Sequence, residues 1–529
     1  MASKKSYWGY AFLTIVVASM ALWGFQSILP DKIFPEFSAA AKDHIVVDEM
    51  MQKALDEKQT DALVEQERPV EDSLNQKEAE GLQEPDPEIP NKLLADDLST
   101  AKENYYLDHF YQQLALLEEA PEQHKVRIAY FGDSMTDGDL IVQDVRQFFQ
   151  EKYGGKGVGF VPITSESATS RISVIHRFSP NWKMDTYMKT YRDQPTPPFG
   201  VSGQVFYAVD SLAPHWVQYA SGQNAKNRLL PQPTLYYGLS SNDSAVVKAV
   251  LNKDTVSFPL TPNKILNTLP LSTADLNTVR LRFEQADSIP LYGVDMNASY
   301  GVQVDNFSNR GNSGLPLSQL NTPLMRAFGQ EDIHYDLIVL QYGTNVMSSE
   351  RLEYGWYARS MGRVVQHLRQ AFPGTSILVV SIADRSHKYG NEMKTDSAVV
   401  PLLQAQKAYA TEAQTGFVNL YELMGGRNSM VEWVEKDPPK ANKDYTHFNP
   451  WGAKAVAKMI FNEIEEGFHA YKKQVEQHEL EVQREAERRR DSLRARRDSL
   501  PIDSVVPPKN PSSKTEKEPA KDTLQNALR

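Results

Sequence analysis

The chain has 529 residues, of which 41% are hydrophobic, and it carries a formal net charge of -11 and no cysteine. This length allows a sizeable core and more than one folded unit, and the acidic balance argues against nucleic acid as a partner. The lack of cysteine excludes disulfides, thiolate metal sites and a cysteine nucleophile. The eleven histidines form no His-x-x-x-His or His-Glu-x-x-His pair, so the sequence predicts neither a metal nor another cofactor.

The N-terminal stretch has the features of a membrane anchor. Residues 6–30 contain no charged side chain and are long enough to cross a bilayer as a helix. Lys4 and Lys5 precede them, which predicts a cytoplasmic N-terminus. A cleaved signal peptide is the alternative, but the small residues at 39–41 lie far beyond the apolar core. We expect residues 1–30 to be a single-pass anchor in the cell inner membrane, with the rest of the chain in the periplasm.

The remaining chain divides by composition. Residues 31–98 are highly charged and poor in aromatic residues, which predicts a flexible acidic spacer. In residues 99–163 and 297–470, short apolar runs alternate with amphipathic helices, which predicts an α/β domain with a parallel sheet. Residues 164–296 between them show alternating runs typical of strands and predict an inserted β-sandwich. Residues 471–529 predict a charged helical and disordered tail.

The predicted insertion contains a set of large aromatic residues with two interpretations. They either stack on sugar rings or fill the core of the sandwich, since both environments use the same side chains. The set consists of Trp182, Trp216, Tyr219, Tyr236 and Tyr237.

The glycine-rich run at residues 154–160 resembles a phosphate-binding loop at first sight. It lacks the Gly-Lys-Ser/Thr ending and opens no helix, so we interpret it as a tight structural turn.

A candidate nucleophile follows a short apolar run at residues 126–131. This run ends in Gly132-Asp133-Ser134 and is followed by an amphipathic segment at residues 137–153. The pattern predicts a buried strand that delivers Ser134 to a strand-to-helix turn at the carboxyl edge of the sheet. Gly-Asp-Ser also occurs in ordinary turns, so the serine needs a base elsewhere in the chain.

A candidate base lies in Asp444-Tyr-Thr-His447, ahead of a helix predicted to begin near Pro450. A carboxylate three residues before a histidine can accept the imidazole Nδ1 proton, which leaves Nε2 to take the proton of a serine hydroxyl. The alternative is that Asp444 only caps the helix and His447 is an ordinary surface residue.

Four motifs in this order resemble the blocks of the SGNH (GDSL-type) hydrolase family. The blocks are Gly132-Asp133-Ser134, Asn309-Arg-Gly-Asn-Ser-Gly314, Gly343-Thr344-Asn345 and Asp444-x-x-His447. The resemblance covers roughly residues 125–163 and 297–468 and implies a flavodoxin-like three-layer fold. Val346 departs from the family pattern, which commonly has an aspartate after the asparagine.

The resemblance also implies roles for individual residues. The catalytic triad would be Ser134, His447 and Asp444. The oxyanion hole would consist of the backbone N–H groups of Ser134 and Gly314 and the side-chain amide of Asn345.

Within the family, the extended first block and the β-rich insertion are most like bacterial peptidoglycan O-acetylesterases. This implies a serine esterase that removes O-acetyl groups from peptidoglycan or another envelope glycan. One alternative is a glycan O-acetyltransferase that uses the same triad together with a membrane acyl-transfer partner. The other is a non-catalytic glycan-binding scaffold.

Overall fold

The computed structural model describes residues 50–51, 105–189, 191, 195–209, 214–222, 229–349 and 352–498. The predicted anchor, most of the predicted spacer and the end of the tail lie outside these residues. Within the described ranges, no helix is both long and apolar enough to cross a membrane. The chain divides into two compact units, Met1–Glu465 and Glu466–Arg529.

The described residues form strands and helices as follows. The strands are β1 (Lys125–Gly132), β2 (Gly157–Pro162), β3 (Val174–Phe178), β4 (Trp182–Thr186), β5 (Gln204–Ala208), β6 (His215–Ser221), β7 (Thr234–Gly238), β8 (Val246–Leu251), β9 (Asp254–Pro259), β10 (Leu266–Pro270), β11 (Thr278–Glu284), β12 (Leu291–Asn297), β13 (Gly301–Asn306), β14 (Leu337–Gln341), β15 (Ser376–Val380), β16 (Ser386–Tyr389), β17 (Glu392–Thr395) and β18 (Gly416–Val418). The α-helices are α1 (Asp108–Glu119), α2 (Val142–Tyr153), α3 (Thr322–Gln330), α4 (Gly355–Ala371), α5 (Val399–Glu412), α6 (Leu420–Met424), α7 (Ser429–Glu435) and α8 (Pro450–Asp498). Short 3-10 helices occur at Tyr105–Leu107, Asp137–Asp139 and Leu315–Gln319.

A parallel sheet lies at the centre of the first unit. Its strands lie in the order β13-β1-β14-β15-β18, and every neighbouring pair is parallel. Counted along the chain, this is the order 2-1-3-4-5 of flavodoxin-like sheets. Every residue of β14 and β15 is buried, as expected for strands covered on both faces. The prediction of a mixed α/β fold with a parallel sheet is confirmed.

Helices cover both faces of this sheet. On one face, α3, α4 and α5 share a core with alternate residues of the strands, among them Phe131 and Leu340. On the other, α1 packs on β1 and α2 packs on β13. The ring of Phe149 in α2 contacts Phe110 of α1 and Phe461 of α8. Because the side chains of a strand alternate between faces, the apolar strands serve both helix layers.

Two antiparallel sheets form the β-rich part of the chain, and these additional sheets agree with the prediction of β structure there. One has the order β10-β7-β12-β5-β4 with β2 paired to β12, and the other has the order β3-β6-β11-β8-β9. Both contribute to one apolar core. Tyr219, Tyr236 and Tyr237 are buried, whereas Trp182 and Trp216 are half-buried. The tyrosines of the aromatic set therefore pack in the protein interior and offer no sugar-stacking surface.

We predicted a tight turn for the glycine-rich run at residues 154–160. This prediction was wrong from Gly157 onward, where a strand begins. Gly157 begins β2, which pairs antiparallel with β12. A Cβ atom at Gly157 would lie 2.3 Å from the backbone oxygen of Met296, and one at Gly159 would lie 2.8 Å from that of Val304. The glycines allow β2 to approach the backbones of β12 and β13 closely.

A buried ion network joins the parallel sheet to the antiparallel one. Arg127 of β1 is 1% exposed, and its Nε donates to Asp305 Oδ2 of β13 at 2.7 Å. Its Nη2 donates to Asp295 Oδ1 of β12, also at 2.7 Å. Tyr335 donates its hydroxyl to Asp305 at 2.8 Å. Charges buried this deeply are tolerated only with such partners, so the network fixes how the three strands lie.

Replacing Asp305 by asparagine leaves the Arg127 guanidinium with one carboxylate partner instead of two. We expect Asp305→Asn to lower the free energy of unfolding by about 3–5 kcal/mol, the range for breaking a buried ion pair. Urea unfolding followed by tryptophan fluorescence measures this loss. The control is Glu284→Gln, which removes the partner of the partly exposed Lys248 and should cost no more than about 1 kcal/mol. Equal losses in both variants would contradict the role of the buried network.

Candidate active site

The candidate nucleophile lies at the carboxyl end of β1, where the sequence predicted it. β1 ends at Gly132, Ser134 follows in the turn, and α2 begins at Val142. A Cβ atom at position 132 would lie 2.1 Å from Thr136 Oγ1, so the tight turn requires glycine. Ser134 is half-buried at this turn.

Ser134 and two side chains from a distant loop form a continuous hydrogen-bonded chain at this turn. Ser134 Oγ lies 3.0 Å from His447 Nε2, and His447 Nδ1 lies 2.9 Å from Asp444 Oδ2. If Nδ1 carries the imidazole proton and donates it to the carboxylate, Nε2 is free to accept the serine proton. The geometry is that of a nucleophile, a base and an orienting acid.

The carboxylate of Asp444 is held in its ionised form. Partial burial alone would raise its pKa, but hydrogen bonds from the His447 ring and from the backbone N–H groups of His447 and Thr446 lower the pKa below its usual value. Both N–H groups donate to Oδ1 at 3.0 Å. Oδ2 therefore remains available to the imidazole.

The alternative interpretation of Asp444 as a helix cap does not agree with the structure. α8 begins at Pro450, and the side chain that accepts from its first turn is Asn449. Asn449 Oδ1 accepts from the N–H groups of Trp451 at 2.9 Å and Gly452 at 3.1 Å. Among the described residues, the Asp444 carboxylate accepts hydrogen bonds from Thr446 and His447 of its own loop.

The three predicted oxyanion donors differ in their availability. Among the described residues, no hydrogen-bond acceptor lies against the Ser134 N–H. Asn345 Nδ2 donates to Asp133 Oδ2 at 3.2 Å and to the Asn312 carbonyl at 3.1 Å. The Gly314 N–H donates to Asn312 Oδ1 at 2.9 Å, so in this conformation it is not free for a substrate oxygen.

Asn312 and Asp133 are residues of this site that sequence reasoning did not single out. Asn312 is fully buried, and its Nδ2 donates to the hydroxyl of Tyr187 in the β-rich part at 3.0 Å. Asp133 is also buried, and its Oδ1 accepts the Met135 N–H at 2.9 Å. Both lie inside quoted motifs, but nothing in the sequence indicates that their side chains bind the other blocks.

A cavity of about 280 Å³ is lined by residues that follow the first motif and by residues of the second motif, but not by Ser134, His447 or Asp444. The parallel-sheet part contributes Asp137 and Arg310, whose side chains form an ion pair at 2.7 Å. The β-rich part contributes Ser202 and Gln204. Asp139 also lines the cavity. Burial alone would raise the pKa of Asp139, but the Arg146 guanidinium lowers it to about 2.

No protein-family model matches the chain, and no curated protein matches its sequence. Among solved structures, it resembles one described as "Peptidoglycan O-acetylesterase in action", with 20% identity and a TM-score of 0.55 over 68% of this chain and 96% of that one. A family two carbohydrate esterase from Cellvibrio japonicus has 10% identity and a TM-score of 0.24 over 56% of this chain and 99% of that one. The second score is too low to support an argument.

The first likeness, at this identity, shows the fold alone. It agrees with the strand order 2-1-3-4-5 and with the position of Ser134 at a strand end. The chain therefore shares its fold with that solved structure, and this fold agrees with the flavodoxin-like architecture expected from the four motifs.

Proposed function

We propose that this protein is a serine esterase that removes O-acetyl groups from peptidoglycan or another envelope glycan. The observation that carries the proposal is the unbroken chain of hydrogen bonds from Ser134 through His447 to Asp444. A serine hydroxyl is a weak nucleophile at neutral pH unless a base is positioned against it. The peptidoglycan O-acetylesterase of similar fold suggests the substrate class.

The reaction proceeds in two halves. Ser134 Oγ attacks the acetyl carbonyl while His447 Nε2 takes its proton, and the same proton then passes to the departing sugar oxygen. This leaves an acetyl group on Ser134. His447 next takes a proton from water as the water oxygen attacks the acetyl carbonyl, and returns that proton to Ser134 as acetic acid leaves and ionises to acetate in solution. In this proposal the Ser134 N–H stabilises the oxyanion, and the Asn345 amide and the Gly314 N–H join it once they release their present acceptors.

The cavity supports a sugar as the alcohol part of the ester. Its lining is rich in hydroxyl, amide and charged groups, which suit a polyhydroxylated ring. The Ser202 hydroxyl is buried and, among the described residues, has no hydrogen-bond partner. A buried polar group without a partner is costly, so a ligand hydroxyl there would satisfy it.

The proposal includes a location. The uncharged stretch at residues 6–30 and the basic pair before it support an inner-membrane anchor, with the catalytic domain on the periplasmic side. Such a tether would keep the enzyme close to the cell wall, where an acetylated glycan is found.

Replacing the nucleophile tests the mechanism directly. We expect Ser134→Ala to lower the rate of acetate release from O-acetylated peptidoglycan by at least about 10⁴-fold, since the covalent route is lost. Ser318→Ala, at an exposed serine beyond the second motif, should retain wild-type rates. Unchanged acetate release by Ser134→Ala would contradict the role of Ser134 as the nucleophile, and no acetate release by the wild-type protein would favour a scaffold.

The same assay separates hydrolysis from transfer. An esterase releases free acetate when no glycan acceptor is added. If acetyl groups appeared only as new esters on an added glycan, the protein would be a transferase instead.

Replacing Ser202 tests the proposed sugar site and leaves the triad residues unchanged. We expect Ser202→Ala to raise KM for the acetylated glycan about 2–10-fold, the effect of one neutral hydrogen bond, and to leave hydrolysis of a simple aryl acetate unchanged. Ser257→Ala, on the exposed strand β9, is the matched control. A parallel change for both substrates would show that the cavity does not bind sugar.

Asp133 positions Asn345 and carries an unusual pKa. Burial raises the pKa of Asp133 to about 6, although the Met135 N–H and the charge of His447 oppose this shift. The folded protein thus binds this proton more tightly than the unfolded chain. The stabilisation that this proton gives the folded state is fully present at acidic pH and is lost as the pH rises from about 4 to about 6.

Asp133→Asn removes this titration. Wild type loses this stabilisation as the pH rises, whereas the variant does not. The unfolding free energy of the variant minus that of wild type should therefore increase by about 3 kcal/mol from about pH 4 to about pH 7. Urea unfolding at several pH values measures the difference. Asp243→Asn, at an exposed carboxylate, controls for the loss of one charge. Parallel pH profiles for Asp133→Asn and wild type would show that Asp133 is ionised normally.

A further inference from the structure

Two histidines and an aspartate meet at the amino end of β14. His109 is the second residue of α1, and His334 and Asp336 precede β14, which begins at Leu337. One ligand atom from each side chain lies within 4.8 Å of the other two. Because β1 and β14 are parallel and Ser134 follows the carboxyl end of β1, this cluster lies at the opposite edge of the sheet from the triad.

One atom of the cluster lacks the partner that a buried polar atom needs. His109 Nε2 is shielded from solvent and has no hydrogen-bond partner among the described residues. It lies 3.5 Å from Asp336 Oδ1, beyond the range of a normal N–H···O hydrogen bond. Asp336 is buried, and the hydrogen bond it receives, from the Arg127 N–H at 2.8 Å, goes to its other oxygen. An ion held between His109 Nε2 and Asp336 Oδ1 would give the histidine nitrogen the partner that it lacks.

The distance between His109 and Asp336 fits two ligands of a tetrahedral ion with short bonds. Zinc binds histidine nitrogen and carboxylate oxygen at about 2.0–2.2 Å, so two ligands on neighbouring corners lie about 3.3–3.5 Å apart. The separation of His109 Nε2 and Asp336 Oδ1 falls at this value. Imidazole ligands favour zinc over the hard cations calcium and magnesium. The Arg127 N–H holds the carboxylate from behind, as outer-shell hydrogen bonds do in zinc sites.

We propose that His109, His334 and Asp336 bind a zinc ion, with water as the fourth ligand. His334 is exposed and His109 is partly exposed, so an ion can reach the site from solvent. The ion links the start of α1 to the loop ahead of the central strand β14. The ion takes no part in the ester chemistry, since the nucleophile lies at the other edge of the sheet.

The test titrates zinc into the full-length protein after removal of metals with a chelator. We expect saturable binding of one zinc per chain by calorimetry and a higher midpoint of thermal unfolding with zinc. His109→Gln and His334→Gln should each weaken binding by at least about 10–100-fold and abolish the thermal shift. Acetate release in the absence of zinc should match wild type in both variants, which also shows that they fold.

His124→Gln is the matched control. His124 follows α1 and contacts Gln113 of that helix at 3.0 Å, but it is outside the cluster. This variant should bind zinc as wild type does. Cobalt(II) added to the wild-type protein gives a readout independent of any variant, because a tetrahedral site produces strong visible absorption.

Three results would overturn the proposal. They are the absence of one-to-one zinc binding, zinc binding that persists in both cluster variants, and weak octahedral absorption with cobalt. A thermal midpoint lowered by His109→Gln but unaffected by zinc in wild type would show that His109 and Asp336 form an ion pair instead.

Discussion

The arrangement of the site depends on the buried network around Arg127. Burial alone would lower the pKa of this guanidinium, but the charges of Asp295 and Asp305 raise it well above its usual value, so it stays charged inside the protein. Such a charge is stable only while both carboxylates hold their positions. β1 leads to Ser134, β13 leads to the glycine-rich second motif, and β12 belongs to the antiparallel sheet. One side chain thus holds three strands together, of which β1 ends at the nucleophile and β13 leads into residues that line the cavity.

The parts of the site that were predictable from sequence rest on local patterns. An apolar run that ends in Gly-Asp-Ser encodes its own strand and turn, because burial and the missing side chain of Gly132 act within a few residues. Asp444 and His447 are likewise three residues apart in one loop, so their hydrogen bond needs no distant element. Asn345, in contrast, was assigned to the oxyanion hole only through the resemblance to a family. Its contact with Asp133 depends on two strands lying side by side in the sheet.

The features that sequence reasoning missed depend on distant neighbours. The glycines of β2 looked like a turn because the backbones that they approach belong to β12 and β13, more than a hundred positions later. His109 showed no metal pattern because its companions, His334 and Asp336, precede another strand. A spacing rule can detect ligands only on one element, whereas a sheet brings together residues from any part of the chain.

The oxyanion hole illustrates how such distant contacts shape chemistry. Asn312 accepts the Gly314 N–H through its side chain and an Asn345 proton through its carbonyl, and Tyr187 orients it from the β-rich part. A neutral ester carbonyl gains little by displacing these hydrogen bonds, because it would replace one neutral acceptor with another. An oxyanion gains more, since charge-assisted hydrogen bonds are roughly twice as strong. In the proposed reaction, donors already engaged in the resting enzyme therefore favour the transition state over the bound substrate, which is the condition for a faster chemical step.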